Sequence, residues 1–507
     1  MTSSVRTTAR QRLVAAVLAA ALGWLPSAQA QAQLPTLGDG SEMSSAAERR
    51  LGEKIARELY RDPDYIDDPV LVEYVQGIWQ PLLDAARARG ELSPELDERF
   101  AWQVLLGKDR SVNAFALPGG WLGLHLGLVS VTASRDELAS VLAHELSHVT
   151  QRHISRLVSQ EKRQAPWVIG AMVLGALAAS KSPDAANAMV AGSQALAVQN
   201  QLNFSRDMER EADRVGYGIL VQAGFDPQGF VGMFDKLQQA GRLNDTGAFP
   251  YLRTHPMTTE RSADMQSRLQ LLPREESRVA TGPALLHALM AARARALSAV
   301  GVDALRGLVR EAASLPADAP STRRAAVLYA ASLAASRLND AGAAVLHAQR
   351  LGALVEADPE ARRQARLLSA EVALAGGRKD AAGALLEADA RSRPEVLLWA
   401  QARQAAGAPA DAAQRLQSWV AVHPRDAAAW LALSGAYGAQ GQTLRAIRAD
   451  AEAQVAHLDY AAALDRLKAA QELARRGGGA GDHIEASIID SRVRKVESLL
   501  GEQALER

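Results

Sequence analysis

His144, Glu145 and His148 stand in the stretch from Val141 to Thr150, VLAHELSHVT, and their types and spacing can put one metal ion beside one base. On a helix, residues four apart share a face, so both imidazoles reach a single Zn²⁺ while Glu145 faces a water held there. The chemistry is metal-assisted hydrolysis of a peptide bond. The metal lowers the pKa of its water and polarises the carbonyl, and the glutamate takes the water's proton and passes it to the leaving amine. A helix that carries two histidines by coincidence is the competing reading. The surroundings favour the chemistry: Asp136 and Glu137 put acid at the helix start. Leu138, Val141, Leu142, Leu146 and Val149 recur at helical spacing, which predicts one buried face beside the metal.

Two imidazoles leave such a site short of a third protein ligand. The segment from Phe204 to Asp213, FSRDMEREAD, offers one. Glu209 and Asp213 are four apart on one helical face. Glu209 is the predicted third ligand, and Asp213 is predicted to accept a hydrogen bond from a ligating histidine, His144 first, fixing its tautomer. On an ordinary surface helix both acids would be solvated charge. His153 raises a three-histidine arrangement, that of the metzincins, which requires Gly at 151 and His at 154. The chain has Gln151 and Ile154, so His153 is assigned to a helix face or to a supporting place behind the ligands.

Several elements must position these groups. Ser45 to Tyr60 and Asp68 to Arg89 read as helices, separated by the Asp62-Pro63 and Asp68-Pro69 breaks. Phe100 to Leu106 and Leu122 to Val131 read as strands. Pro118, Gly119 and Gly120 between them end a strand and force a turn. The residues just before that turn, Asn113, Ala114, Phe115 and Ala116, are candidates for an edge that binds extended substrate by strand addition; an ordinary hairpin fits the spacing equally well. Pro166 to Ala179 is wholly apolar but too short to span a bilayer. It reads as half of a helical hairpin with Asp184 to Val198, against the catalytic core or over its cleft. The alternative is a membrane-surface helix, for which it lacks a charged face.

At 507 residues the chain is too long for one ordinary core, which predicts two or more domains. Arg6, Arg10 and Arg12 precede the apolar run Leu13 to Leu25, and Ser27-Ala28-Gln29-Ala30 offers a cleavage site, so residues 1–30 read as a secretory signal peptide. An uncleaved anchor is the competing reading. Without that segment and its three arginines, 54 of the 57 basic groups remain against 57 acidic ones. The near neutrality argues against nucleic acid as a partner. There is no cysteine, so an exported chain of this kind is held by its cores and its metal, and the bacterial periplasm is the expected location.

From Pro283 onward the texture is alanine-rich helix. Trp430, Leu433, Tyr437, Ala446 and Ala453 fit the tetratricopeptide pattern, although Ser434 stands where that pattern has glycine. Pro359, Pro394 and Pro424 fall at near-repeat intervals. Ala325 to Ser336 with Ala341 to Leu351, and Ala361 to Ala375 with Lys379 to Ala390, are predicted helix pairs, and Asp482 to Leu500 is predicted to close the array. Such a solenoid offers a surface for polypeptide; a plain helical bundle is the competing reading. The fold class expected is α+β and mostly helical: a metalloprotease domain with a small β-sheet over 31–278, then an all-α repeat domain over 279–507.

The signal segment, LPTLGDG, NAFALPGG, HELSH, SRDMEREAD, and Arg253-Thr254-His255-Pro256 followed by Glu260-Arg261, together resemble the BepA-type periplasmic metalloproteases, relatives of HtpX and of the Ste24-type prenyl-protein proteases. The resemblance implies a gluzincin protease with one Zn²⁺ per chain, fused to tetratricopeptide repeats. It implies that the protein degrades stalled or misassembled outer-membrane β-barrel proteins or assists their maturation. The repeats would meet the outer-membrane assembly machinery, with at most peripheral membrane contact. It also implies that His255 can take the fourth zinc position and hold the enzyme inactive. Pro256 favours a loop there, and His255 orienting substrate is the other possibility. His125, in the strand after NAFALPGG, departs from expectation and reads as packing or substrate contact. A chaperone or assembly scaffold with a structural zinc is the alternative function. Glu145 separates the two, since a structural site needs no base.

Overall fold

The computed structural model describes residues 43–160, 206–242, 248–271, 284–316, 318–387, 389, 391–476 and 482–504. The segment 1–30, LPTLGDG, the apolar stretch 166–179 with its partner 184–198, and the expected boundary near 278 lie outside them.

Helix α1 (Ser45–Arg61) starts where the Ser44 hydroxyl accepts from the Ala47 amide, and it ends at Asp62-Pro63. After β1 (Tyr65–Ile66), α2 (Pro69–Ala88) is set by Pro69 in its first turn and by Asp68, whose carboxylate accepts from the Leu71 amide. The short α3 (Pro94–Arg99) leads into β2 (Gln103–Gly107), β3 (Ala114–Leu117) and, across one 3₁₀ turn at Pro118–Gly120, β4 (Trp121–His125). The sheet order is β1-β2-β4-β3, with β4 parallel to β2 and antiparallel to β3, so β3 is an edge strand. Leu105, Leu117 and Trp121 meet α1 on one face, while Leu106, Leu122, Leu124 and Ala114 join the main core on the other.

Two strand readings need correcting. The strand expected from Phe100 begins only at Gln103, and the one expected to run through Val131 stops at His125, where Leu126–Val131 turns into helix α4. Leu122, Leu124, Leu126 and Leu128 alternate straight through that junction, and every residue from Leu126 to Val129 is buried. A period of two therefore carries no mark of the change.

Helix α5 (Arg135–Thr150) starts at Ser134, whose hydroxyl accepts from the Glu137 amide. It is followed by α6 (His153–Gln160), α7 (Arg206–Gln222), α8 (Gln228–Arg242), α9 (Tyr251–Thr254) and α10 (Thr259–Leu271). The sequence predicts one buried face for α5, but every residue from Asp136 to Thr150 is buried, because α2, α7, α8 and β3 pack around it. Helix α7 comes unusually close. A Cβ on Gly216 would lie 3.0 Å from the Ala143 carbonyl oxygen, so the glycine lets α7 cross directly over α5.

The rest is helical: α11 (Ala284–Leu297), α12 (Val302–Ala313), α13 (Ser321–Arg337), α14 (Ala341–Leu354), α15 (Pro359–Ala375), α16 (Lys379–Ala384), α17 (Arg393–Ala405), α18 (Pro409–Val422), α19 (Ala427–Ala439), α20 (Thr443–Ala456), α21 (Tyr460–Arg476) and α22 (Asp482–Ala504). The helix expected from Lys379 to Ala390 stops at Ala384. Pro359 and Pro409 open their helices, Pro394 sits in the first turn of α17, and Pro424 lies between α18 and α19, where a missing N–H costs least. One apolar cluster runs from Val70 through α5 and α11 to Ala402, so the first of these helices share a core with the sheet domain.

The junction is also ionic. Arg293 on α11, itself buried, grips Asp68 with two hydrogen bonds of 2.8 and 2.6 Å and reaches Glu371 at 2.8 Å and the Tyr329 hydroxyl at 3.1 Å. Removing the cation leaves Asp68 an uncompensated buried carboxylate. Arg293→Met should therefore cost about 3–5 kcal/mol, read as a lowered urea midpoint at unchanged slope. A loss below about 1 kcal/mol would mean that the pair behaves as a solvated surface contact.

Candidate metal centre and active site

Helix α5 presents His144 and His148 one turn apart, and α7 crosses it to bring in Glu209. The loop closing α9 adds His255, whose extended backbone (φ −124°, ψ 77°) follows from the proline after it. All four side chains are buried, and one ligand atom from each lies within 4.8 Å of all the others. His144 Nε2 is 2.9 Å from His148 Nε2 and 3.3 Å from His255 Nδ1. Glu209 Oε1 is 3.4 Å from His148 Nε2 and 3.0 Å from His255 Nδ1. Donors about 2.0–2.1 Å from a tetrahedral ion stand on the order of 3.3 Å apart, so the spacing and the N/N/N/O chemistry both fit a metal ion.

The protonation states of His148 and Glu209 fit as well. Burial holds the His148 imidazole well below its usual pKa and so keeps it neutral. Burial alone would raise the Glu209 carboxyl, but His255, His148 and His144 outweigh it and hold the group well below the carboxylate range. A neutral imidazole and an ionised carboxylate are the forms that bind metal.

Glu145 is fully buried beside this cluster. Its Oε2 accepts from the Ala116 amide at 2.9 Å, and Oε1 has no hydrogen-bond donor among the described residues, lying 3.5 Å from His255 Nε2. A buried carboxylate oxygen with no hydrogen-bond donor is costly, a cost expected at a working group. The Ala116 contact also orients the edge strand. Asn113 accepts from the His125 amide of β4, so Asn113, Phe115 and Leu117 turn their main-chain groups inward, and Ala114 and Ala116 turn theirs to the open side facing Glu145.

Asp213 lies behind His144, its Oδ1 3.0 Å from Nδ1, although the N–H is poorly aligned for a full hydrogen bond. Burial would raise this carboxyl, but Arg261 and His144 hold it low. Sequence reasoning missed what grips it. Arg261, buried, donates to Asp213 at 2.6 and 2.8 Å, pairs with Glu209 at 2.8 Å and donates to the Pro256 carbonyl at 2.8 Å. Tyr251, also missed, stacks on His255 with centroids 4.5 Å apart. Neither stands in a local pattern; the only signal was the Glu260-Arg261 pair after His255. His153 sits directly behind His148, and burial pushes its pKa down to about 4. His125 is outside the cluster, hydrogen-bonded to the Ser111 hydroxyl at 2.9 Å and edge-on to Phe115.

A helix-borne His-Glu-His set, a carboxylate from a crossing helix and an adjoining edge strand are the parts that a metallopeptidase site requires, and residues 76–269 match the model of peptidase family M48. The chain is also similar to the β-barrel assembly-enhancing proteases. It is 35% identical over 247 residues to the putative beta-barrel assembly-enhancing protease of Vibrio cholerae, covering 48% of each chain. It is 33% identical over 268 residues to the beta-barrel assembly-enhancing protease of Escherichia coli K12, covering 51% of this chain and 52% of that one. The mitochondrial metalloendopeptidase OMA1 of Arabidopsis thaliana is 34% identical over 165 residues, 32% of this chain and 31% of that one. The chain thus spans about half the length of the first two relatives. Among the described residues no helix is long and apolar enough to cross a membrane.

Arg261 touches a candidate ligand, the carboxylate behind another and the loop of a third. Replacing it with Ala should weaken metal binding by about 10–100-fold, measured by competition with a chelator. Unchanged affinity would remove Arg261 from the support of the site.

Proposed function

We propose that the protein is a zinc endopeptidase in which His144, His148 and Glu209 hold one Zn²⁺ per chain and Glu145 is the base. The observation that carries this is the buried donor cluster with a Glu145 oxygen beside it that accepts no hydrogen bond. When bound, zinc supplies an acidified water and polarises the scissile carbonyl. Glu145 takes the water's proton at a carboxylate oxygen and delivers it to the departing amine. Asp213 orients His144. Ala114 and Ala116, flanked by Asn113 and Phe115, align an extended substrate by main-chain pairing along β3. A mainly structural zinc in an assembly scaffold is the second reading, and the buried base at the site favours the enzyme.

The relatives' names and the region outside the M48 match extend the proposal. The substrates are misassembled outer-membrane β-barrel proteins met in the periplasm, which the protein degrades or helps to mature. The helices from residue 279 onward act as a tetratricopeptide-like array that engages the assembly machinery, after a protease domain over 31–278. His255 is a regulatory fourth ligand. It stands where a substrate carbonyl or water would enter, and it also touches Glu145, so in this position it blocks both partners of the reaction.

Glu145→Gln should keep zinc and fold while casein hydrolysis falls by about 10²–10⁴-fold. Wild-type rates in that variant would remove Glu145 as the base and favour the scaffold.

His255→Ala separates a switch from a substrate-orienting role by sign. Proteolysis should rise, and Glu145→Gln in the same chain should cancel the rise. A fall in cleavage with zinc still bound would show that His255 serves the substrate instead.

A further inference from the structure

The two helix-borne ligands are backed differently. His144 leans on Asp213 directly. Behind His148 stands another imidazole: His148 Nδ1 is 2.8 Å from His153 Nδ1, His153 Nε2 is 3.1 Å from Glu211 Oε2, and Arg156 Nη2 donates to that same oxygen at 2.7 Å. His153 is completely buried, and Glu211 stands on α7 between the candidate ligand Glu209 and the backing residue Asp213.

This contact depends on a break in the chain. In a continuous helix residues five apart are separated by about 140° around the axis, so His153 could not lie behind His148. Helix α5 ends at Thr150, and Arg152 adopts φ 53°, the left-handed region that non-glycine residues rarely occupy. Arg152 is fixed there by Glu48 at 3.1 Å and by the Ser155 hydroxyl at 3.1 Å. The turn restarts the chain as α6 with the His153 ring folded back beneath His148.

We propose that His153 is a positioning residue for the metal centre, transmitting the negative charge of Glu211 to His148 through an ordered pair of imidazoles. Proton placement follows from the hydrogen-bond inventory. With His148 Nε2 turned to the metal, its one N–H is at Nδ1 and donates to His153 Nδ1. His153 must then carry its own proton on Nε2, and this donates to the Glu211 carboxylate. Each group has one orientation and one tautomer. The carboxylate at the end of the chain makes His148 a better electron donor, as a carboxylate bonded directly to a ligand imidazole does. Helix α6 thereby belongs to the support of the metal, although it supplies no ligand.

The inference rests on the zinc reading, and the test separates the two. Zinc affinity of the full-length protein is measured by chelator competition, and the visible absorption of its Co²⁺ form reports ligand geometry. Glu211→Gln, at a partly exposed position, keeps an acceptor but loses the charge, and should weaken zinc binding several-fold. His153→Leu should weaken it by about 10–100-fold and shift the Co²⁺ bands. His153→Asn, whose amide oxygen falls near the place of Nδ1, should recover part of the loss. The double variant His153→Leu with Glu211→Gln should bind no more weakly than His153→Leu alone, because both cut one chain. Should His153→Leu fail to fold, Glu211→Gln decides. Wild-type zinc affinity and an unshifted Co²⁺ spectrum in Glu211→Gln and in any folded His153 variant would overturn the positioning role while leaving the zinc reading intact. A wild-type protein that takes up no zinc would overturn both.

Discussion

Every polar group carried into a protein interior must find a partner there, and helix α5 carries an unusual number of them. Asp136, Glu137, His144, Glu145, His148 and Thr150 are all buried on this one helix. Exposed, they would be cheap; buried, each unpaired group costs on the order of 1–3 kcal/mol, more if charged. Much of the surrounding architecture can be understood as an answer to that demand. Asp136 accepts from the Asp226 amide, and Glu137 pairs with Lys236 of α8. His144 and His148 are met by Asp213 and His153, and Glu145 by the exposed side of β3. The remaining demand, four donor atoms facing one point, is what a cation satisfies.

Arginine does the same work at a larger scale. The segment from Arg61 to Glu73 turns from α1 through β1 into α2, and distant helices dock on it by ion pairs: Arg293 on Asp68, Arg363 on Glu73, Arg393 on Asp67, and Asp459 on Arg61. Arg393 also pairs with Asp426 at 2.8 Å, tying α17 to the start of α19. A guanidinium binds two carboxylates in fixed geometry, which lysine cannot do. These contacts fix the orientation of the helical array against the sheet domain, while the shared apolar core supplies the bulk of the adhesion.

The parts of this organisation that were legible from sequence are those written in local patterns. The His-Glu-x-x-His spacing, the i, i+4 pair of Glu209 and Asp213, the turn at Pro118 to Gly120 and the break between helices at Asp68-Pro69 each state their structural meaning within a few residues. The break from β4 into α4 was illegible because leucine alternation continues through it. The all-round burial of α5 was illegible because its polar residues imitate a solvated face. Arg261 and Glu211 show the other limit. Both lie beside residues that the sequence singles out, but what gives them meaning is a partner 48 or 58 residues away in the chain. No periodicity encodes such a distance. The turn at Arg152 combines both difficulties, since nothing in Gln151-Arg152-His153 announces a left-handed residue.

The proposed switch inherits its character from how its loop is tied. His255 itself makes contacts that metal would strengthen, but the segment bearing it is also laced to the chain just ahead of the β3 edge. The Val112 amide donates to the Ala248 carbonyl at 2.8 Å, and the Tyr251 amide approaches the Val112 carbonyl at 3.4 Å. Val112 immediately precedes the Asn113 to Ala116 edge, so the segment occupies main-chain groups in line with those an extended substrate would use. Arg261 holds the far end of the loop at Pro256 and the Glu209 carboxylate at the same time. Freeing His255 alone would leave these ties in place, whereas a strand added along β3 competes with the Val112 pairing directly. On the proposed reading, substrate binding and loop release are coupled through the backbone: a polypeptide able to extend the edge strand loosens the loop that closes the metal, and one that cannot leaves it shut.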